Sequence, residues 1–113
     1  MDLLTYQKAL YNTIKSLGYD VYDYVPLNTQ LPYIRLDYSQ ALDDSTKTSE
    51  GYEVLQYINI FSSYKGQKEI KEIAQTVIDN VKAIEGLDVS LRNLIVRQEK
   101  DIFQGTIVLK IKI

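Results

Sequence analysis

The sequence contains no histidine, no cysteine and no tryptophan. Without histidine the chain lacks the commonest general base and the commonest metal ligand. Without cysteine it lacks a thiol nucleophile, a disulfide framework and a thiolate zinc site. Most classes of enzyme active site are therefore excluded, and a catalytic site would have to be built from paired carboxylates.

The sequence also lacks a long apolar run and an excess of positive charge. No apolar segment approaches the roughly 20 residues of a membrane-spanning helix, and the first residues do not have the pattern of a secretory signal. The formal net charge is -2, with acidic and basic residues interspersed, so no basic field attracts nucleic acid phosphates. We expect no membrane partner and no sequence-specific binding of nucleic acid, in a protein that stays in the cell that makes it.

What the chain does contain is typical of one globular domain spanning residues 1–113, with 45% hydrophobic and 25% charged residues. Ten tyrosines stand against two phenylalanines. Tyrosine suits surfaces that are exposed in one state and covered in another, because its ring buries well while its hydroxyl stays hydrated. The alternative is that the tyrosines line the edge of the core of an intact monomer.

Hydrophobic periodicity predicts two helices and several strands. Steps of three and four residues indicate amphipathic helices, and alternation indicates half-buried strands, with Ile34, Leu36 and Tyr38 expected on one face of the second strand. The predicted elements are a helix over 3–17, a short strand and a loop within 19–32, strands over 33–38 and 52–62 joined by a polar loop from Ser39 to Gly51, a helix over 67–84, and a hairpin of strands 88–98 and 105–113 joined through 99–104.

This order predicts an α+β fold with a mainly antiparallel sheet of four to five strands and two helices packed on one face. The longest strand is apolar on both sides, and the two helices can cover only one of them. Whichever side they leave open needs cover from another subunit. The two sets are Val54, Ile58 and Ile60 on one side and Leu55, Tyr57 and Phe61 on the other.

The carboxylate clusters are the remaining candidates for chemistry. Asp43 and Asp44 lie in the polar loop among hydroxyl side chains that could surround a hard cation, but the glycine and glutamate spacing of an EF-hand is missing. A solvated loop is the simpler interpretation. Asp20 and Asp23 flank the short strand and are expected to keep it soluble, while Lys65-Gly66 is expected to turn the chain into the second helix.

Four motifs in order resemble one protein family. They are Leu31-Pro32-Tyr33-Ile34, Thr46-Lys47-Thr48 before Gly51, Ile58-Asn59-Ile60-Phe61-Ser62, and Tyr64-Lys65-Gly66-Gln67-Lys68-Glu69-Ile70-Lys71. Together with the N-terminal helix, they resemble the tail-completion, or tail-terminator, family of long-tailed bacteriophages over nearly the whole chain.

The resemblance implies a structural virion protein without catalysis or cofactor. Such proteins are made in the bacterial cytoplasm and form a ring, typically of six copies, on the head-proximal end of the tail tube. There they stop tube elongation and join the tail to the head connector. The implied partners are further copies of the chain, the major tail tube protein and the connector protein, with no small-molecule substrate.

Long polar loops on a rigid sheet concentrate binding residues, so the loop and the two-sided strand are the predicted interface. The predicted interface residues are Asp43, Asp44, Thr46, Lys47, Leu55, Tyr57 and Phe61. Contacts by the final hairpin turn are also expected. The alternatives are a head-side connector (head-closure) protein, a small inhibitor or regulatory binding module, and a carboxylate-metal enzyme that uses Asp43 and Asp44.

Overall fold

The computed structural model describes residues 1–43 and 51–113. Within these residues the chain forms two helices and five strands in the predicted order α-β-β-β-α-β-β, which confirms the α+β fold. The elements are α1 (Leu3–Lys15), β1 (Val21–Tyr22), β2 (Tyr33–Asp43), β3 (Tyr52–Ser62), α2 (Lys68–Lys82), β4 (Asp88–Glu99) and β5 (Ile102–Lys112).

Helix α1 begins where Asp2 caps it. The Asp2 carboxylate accepts a hydrogen bond from the Thr5 backbone N–H at 2.7 Å, and this bond lowers the pKa of Asp2 below its usual 3.8. One stripe of the helix is buried, formed by Tyr6, Leu10 and Ile14. The helix ends before Gly18, which has a φ of +92°.

Helix α2 follows the turn at Gly66, whose φ of +130° suits glycine. Its buried stripe is wider than that of α1 because it lies over the middle of the sheet. The buried residues are Ile70, Ile73, Ala74, Val77, Ile78 and Val81.

The five strands form one sheet in the order β1-β2-β3-β5-β4. β1 runs parallel to β2, and the other three neighbouring pairs are antiparallel. Both helices pack on the same face. The Tyr6 hydroxyl of α1 donates to Gln56 Oε1 at 2.9 Å, and Ile70 of α2 lies against Gly105 of β5. The core lies between the helices and this face of the sheet.

Strand β2 differs from the prediction in length and in alternation. It continues to Asp43, so the part of the predicted loop from Ser39 to Asp43 is wrong. An irregularity between Leu36 and Ser39 interrupts the register with β3. Tyr38 consequently leaves the face of Ile34 and Leu36 and packs edge-on against Tyr57, with 5.4 Å between ring centroids.

The final hairpin is tighter than the predicted connection through 99–104. Glu99 pairs with Ile102, so only Lys100 and Asp101 remain between β4 and β5. Lys100 has a φ of +54°, in the left-handed region that such a short turn requires.

Candidate interface: the open face of the sheet

The face of the sheet opposite α1 and α2 has no helix over it among the described residues, and we call it the open face. Cross-strand register defines it, because directly opposed residues point to the same side. Leu55 lies opposite Lys110, Tyr57 opposite Val108, and Phe61 opposite Gln104. The open face therefore carries the odd-numbered residues of β3 and the even-numbered residues of β5 from 104 to 112.

A row of hydrogen-bonded polar side chains crosses the middle of the open face. Asn59 is only 7% exposed. Its Nδ2 donates to Asp37 Oδ2 of β2 at 2.7 Å, and its Oδ1 accepts from Thr106 Oγ1 at 2.6 Å and from Gln104 Nε2 at 3.0 Å on β5. One amide thus ties three strands together, and its oxygen and nitrogen both have partners.

Aromatic side chains lie on both sides of this row. Tyr33 and Phe61 stack at 5.0 Å between ring centroids, and Tyr22 meets Tyr33 edge-on at 6.0 Å. The pair of Tyr38 and Tyr57 lies on the other side. Aromatic rings with a hydroxyl at one end are enriched where proteins meet, because they bury area and keep one polar contact.

Two pairs of oppositely charged side chains lie near the row. Lys110 Nζ lies 3.3 Å from Glu53 Oε1, and Arg35 Nε lies 4.0 Å from Asp37 Oδ2. Covering a charged group is costly when it is unpaired. Because these ions and the Asn59 row are matched within the subunit, another protein can cover this part of the open face without leaving them unpaired.

A cleft of about 490 Å³ lies at one end of the open face, beside the turn of the final hairpin. Tyr33, Phe61 and Ile102 form its apolar part, and Arg97 and Gln104 border it with polar groups. This mixture is typical of a site for a side chain of another protein and gives no catalytic constellation.

The sequence matches the family model for tail completion protein gp17 over residues 3–107. The chain belongs to this tail completion family. The resemblance seen in the sequence is thereby confirmed, and membership of the family gives the chain a structural role in a phage tail.

A solved structure has the same fold as this member of the tail completion family. It is a chain from the virion of a native gene transfer agent particle, with 24% sequence identity and a TM-score of 0.78. The match covers 94% of this chain and 92% of that chain. No curated protein matches the sequence at a significant level.

The structure brings some of the predicted interface residues together. Leu55, Tyr57 and Phe61 lie along one strand on the open face, while Val54 and the other residues of the opposite set are buried under the helices. Asp43 is exposed at the end of β2, opposite Tyr52. Asp44, Thr46 and Lys47 lie outside the described residues.

Sequence reasoning missed the Asn59 row. Its one signal in the sequence is a polar residue between Ile58 and Ile60, in the middle of an apolar strand. The partners of Asn59 stand up to 47 positions away along the chain, so the row becomes visible only when the strand order is known.

The described residues give little support to other kinds of site. In residues 1–43 and 51–113, no group of three or more Asp or Glu side chains could hold a metal ion. Neither helix of this part of the chain is long and apolar enough to cross a membrane.

Proposed function

We propose that the chain caps the head-proximal end of the phage tail tube as a ring of identical subunits, six when assembled. In this position it stops elongation of the tube and supplies the surface that joins the tail to the head connector. The observation that carries the proposal is the family match over residues 3–107. Its partners are then further copies of itself, the tail tube protein and the connector, and it acts without catalysis.

The open face supports the proposal of an assembly role. It presents an aromatic and apolar surface whose central polar and charged groups are already paired within the subunit. We place assembly contacts at Leu55, Tyr57 and Phe61 on this face, and we keep Asp43, Asp44, Thr46 and Lys47 as further predicted contacts. A charged side chain in place of an apolar one on this face should interfere with assembly and leave the fold intact.

Electron microscopy of particles that lack this gene tests the role directly. We expect overlong tails that are not joined to heads, because nothing stops the tube or completes its end. Supplying the wild-type chain in trans should restore tails of normal length joined to heads.

Complementation with variants connects the role to the open face. Leu55→Glu places a charge on this face and should fail to restore tails, with an unchanged circular dichroism spectrum. Leu4→Glu is the matched control, because Leu4 is 62% exposed on α1, away from the open face, and should complement.

The other outcomes separate the alternatives. Full heads beside free tails of normal length would favour a head-side connector protein. Normal virions that do not contain the chain would favour a regulatory binding module and reject the proposed cap.

A further inference from the structure

One edge of the sheet is a long strand with only part of the usual protection. β4 is outermost and pairs only with β5 among the described residues. Soluble monomers protect such edges with charged side chains, especially lysine, with proline, with bulges or with very short strands. Of these, β4 has Arg92, Arg97 and one irregularity in its register. The twelve residues of β4 include neither proline nor lysine, and Ile95 is 50% exposed. Beyond the irregularity at Leu91–Asn93, its pairing with β5 is regular to Glu99.

The opposite edge is also open over part of its length. The two-residue strand β1 covers β2 only at Ile34 and Arg35. The outer side of β2 from Ser39 to Leu42 has no strand partner within the described part of the chain. This segment also has no proline or lysine, and Leu42 is 47% exposed.

The directions of the two edge strands suit each other. Three successive antiparallel pairings relate β2 to β4 through β3 and β5, so β2 and β4 run in opposite directions. Two copies placed side by side in the same orientation therefore bring β4 of one copy antiparallel to β2 of the next. Leu42 and Ile95 are both on the open face, where they would become cross-strand neighbours.

We propose that β4 of one subunit pairs antiparallel with Ser39–Leu42 of the next copy, so that the sheets join edge to edge. The contact uses two different surfaces, which is the kind of contact that repeats around a closed ring. The inference rests on the proposed ring and specifies how its subunits meet. The open faces then form one continuous surface that the tube or connector can cover.

The size of the contact indicates when it forms. A paired segment of about five residues is about 17 Å long, and it covers much less than the roughly 800 Å² per partner of a stable complex. Two free copies should therefore associate weakly. In a closed ring every subunit makes the contact twice, which holds the assembly together.

Cysteine cross-linking on assembled tails tests the pairing, because the natural chain has no cysteine and gives no background. The double variant Gln40→Cys/Arg97→Cys carries one thiol on each edge, both on the open face, at positions that are opposite each other when Leu42 lies opposite Ile95. A short bismaleimide should give a ladder from dimer to the complete ring. Each single variant should remain monomeric, because a contact between different edges then has only one thiol.

Two further variants make the result decisive. Gln40→Cys/Gln75→Cys moves the second thiol to the exposed face of α2, and it should give no ladder. Ile95→Lys should keep the circular dichroism spectrum and melting temperature of the wild type but fail to form rings or restore tail length.

Results against the edge pairing can be distinguished from results against the proposed cap. Dimers of Arg97→Cys alone would show β4 pairing with β4 and overturn the proposal. Absence of a ladder on correctly terminated tails, or normal rings with Ile95→Lys, would overturn the edge pairing and leave the proposed cap intact. Tails of normal length in the absence of the gene, joined to heads or free, would reject the cap itself.

Discussion

Asn59 shows how a single polar residue can be placed inside a sheet at low cost. A buried amide without partners costs about 1–3 kcal/mol. The side-chain nitrogen of Asn59 donates to a residue of β2, and its oxygen accepts from two residues of β5. Its bonds to β2 and β5 also work against slippage of either strand, because a shift of one residue would break them.

Replacing Asn59 by alanine should lower the free energy of unfolding by about 1–3 kcal/mol, because Asp37, Gln104 and Thr106 lose a partner in a partly buried position. Urea unfolding followed by circular dichroism measures the change. The control is Asn93→Ala, an exposed amide on the same face, which should change stability by no more than about 0.5 kcal/mol. Equal effects of the two variants would contradict the role given to the row.

At the scale of elements, the close approach of α2 to β5 depends on Gly105. A methyl group at this position would overlap Ile70 Cγ2. The φ of Gly105 is not positive, so what the position requires is the absence of a side chain and not glycine's conformational freedom. The helix can therefore lie close to the central strands and bury its whole apolar stripe.

Gly105→Ala should destabilise the fold by about 1–3 kcal/mol, the usual cost of overpacking a well-filled core. Thermal or urea unfolding gives the value. In an Ile70→Ala background the same change should cost clearly less, because the space is already free and neighbouring substitutions are not additive. Additive costs would show that the two residues do not compete for this space.

Most elements could be predicted from the sequence, since their periodicity is a local property. The bounds of β3 are those predicted, and α1 and α2 differ only at their ends. The extension of β2 past Tyr38 was missed because Ser39 to Asp43 is polar and exposed, and its strand conformation depends on pairing with β3. The irregularity before Ser39 was missed for the same reason, since only the partner strand shows which residue is unmatched.

The candidate interface was predicted in part. Leu55, Tyr57 and Phe61 were predicted as contacts because two helices cannot cover both sides of a two-sided strand; the structure places them on the open face, and their role in an interface stays a prediction. The Asn59 row and the cleft beside Arg97 combine residues of several strands, and the order β1-β2-β3-β5-β4 cannot be read from local patterns. The short strand β1 was predicted, but its parallel pairing with only part of β2 was invisible without this order.

At the scale of the whole molecule, the packing of α1 makes the stability of the fold decrease at alkaline pH. Burial raises the pKa of the Tyr6 phenol well above its usual 10.0. The folded state therefore holds this proton more tightly than the unfolded state. The contribution is complete below pH 10 and is lost as the pH rises above the pKa of the unfolded chain.

Melting temperatures measured from neutral pH to above pH 10 test this dependence. The wild type should lose stability more steeply on the alkaline side than Tyr6→Phe does. At neutral pH the variant should be the less stable protein, because Gln56 Oε1 loses its hydrogen bond from Tyr6. Parallel curves for the two proteins would show that Tyr6 is not responsible.

Of the five strands in the described residues, β5 comes last in sequence, and it lies inside the sheet, between β3 and β4. During synthesis, β4 has no place in the sheet until β5 has left the ribosome, and β3 keeps an open edge until the same moment. A product that terminates early therefore lacks the strand that connects its two halves. Such a fragment leaves β3 with an open edge and β4 without a partner strand, so we expect it not to reach the native sheet.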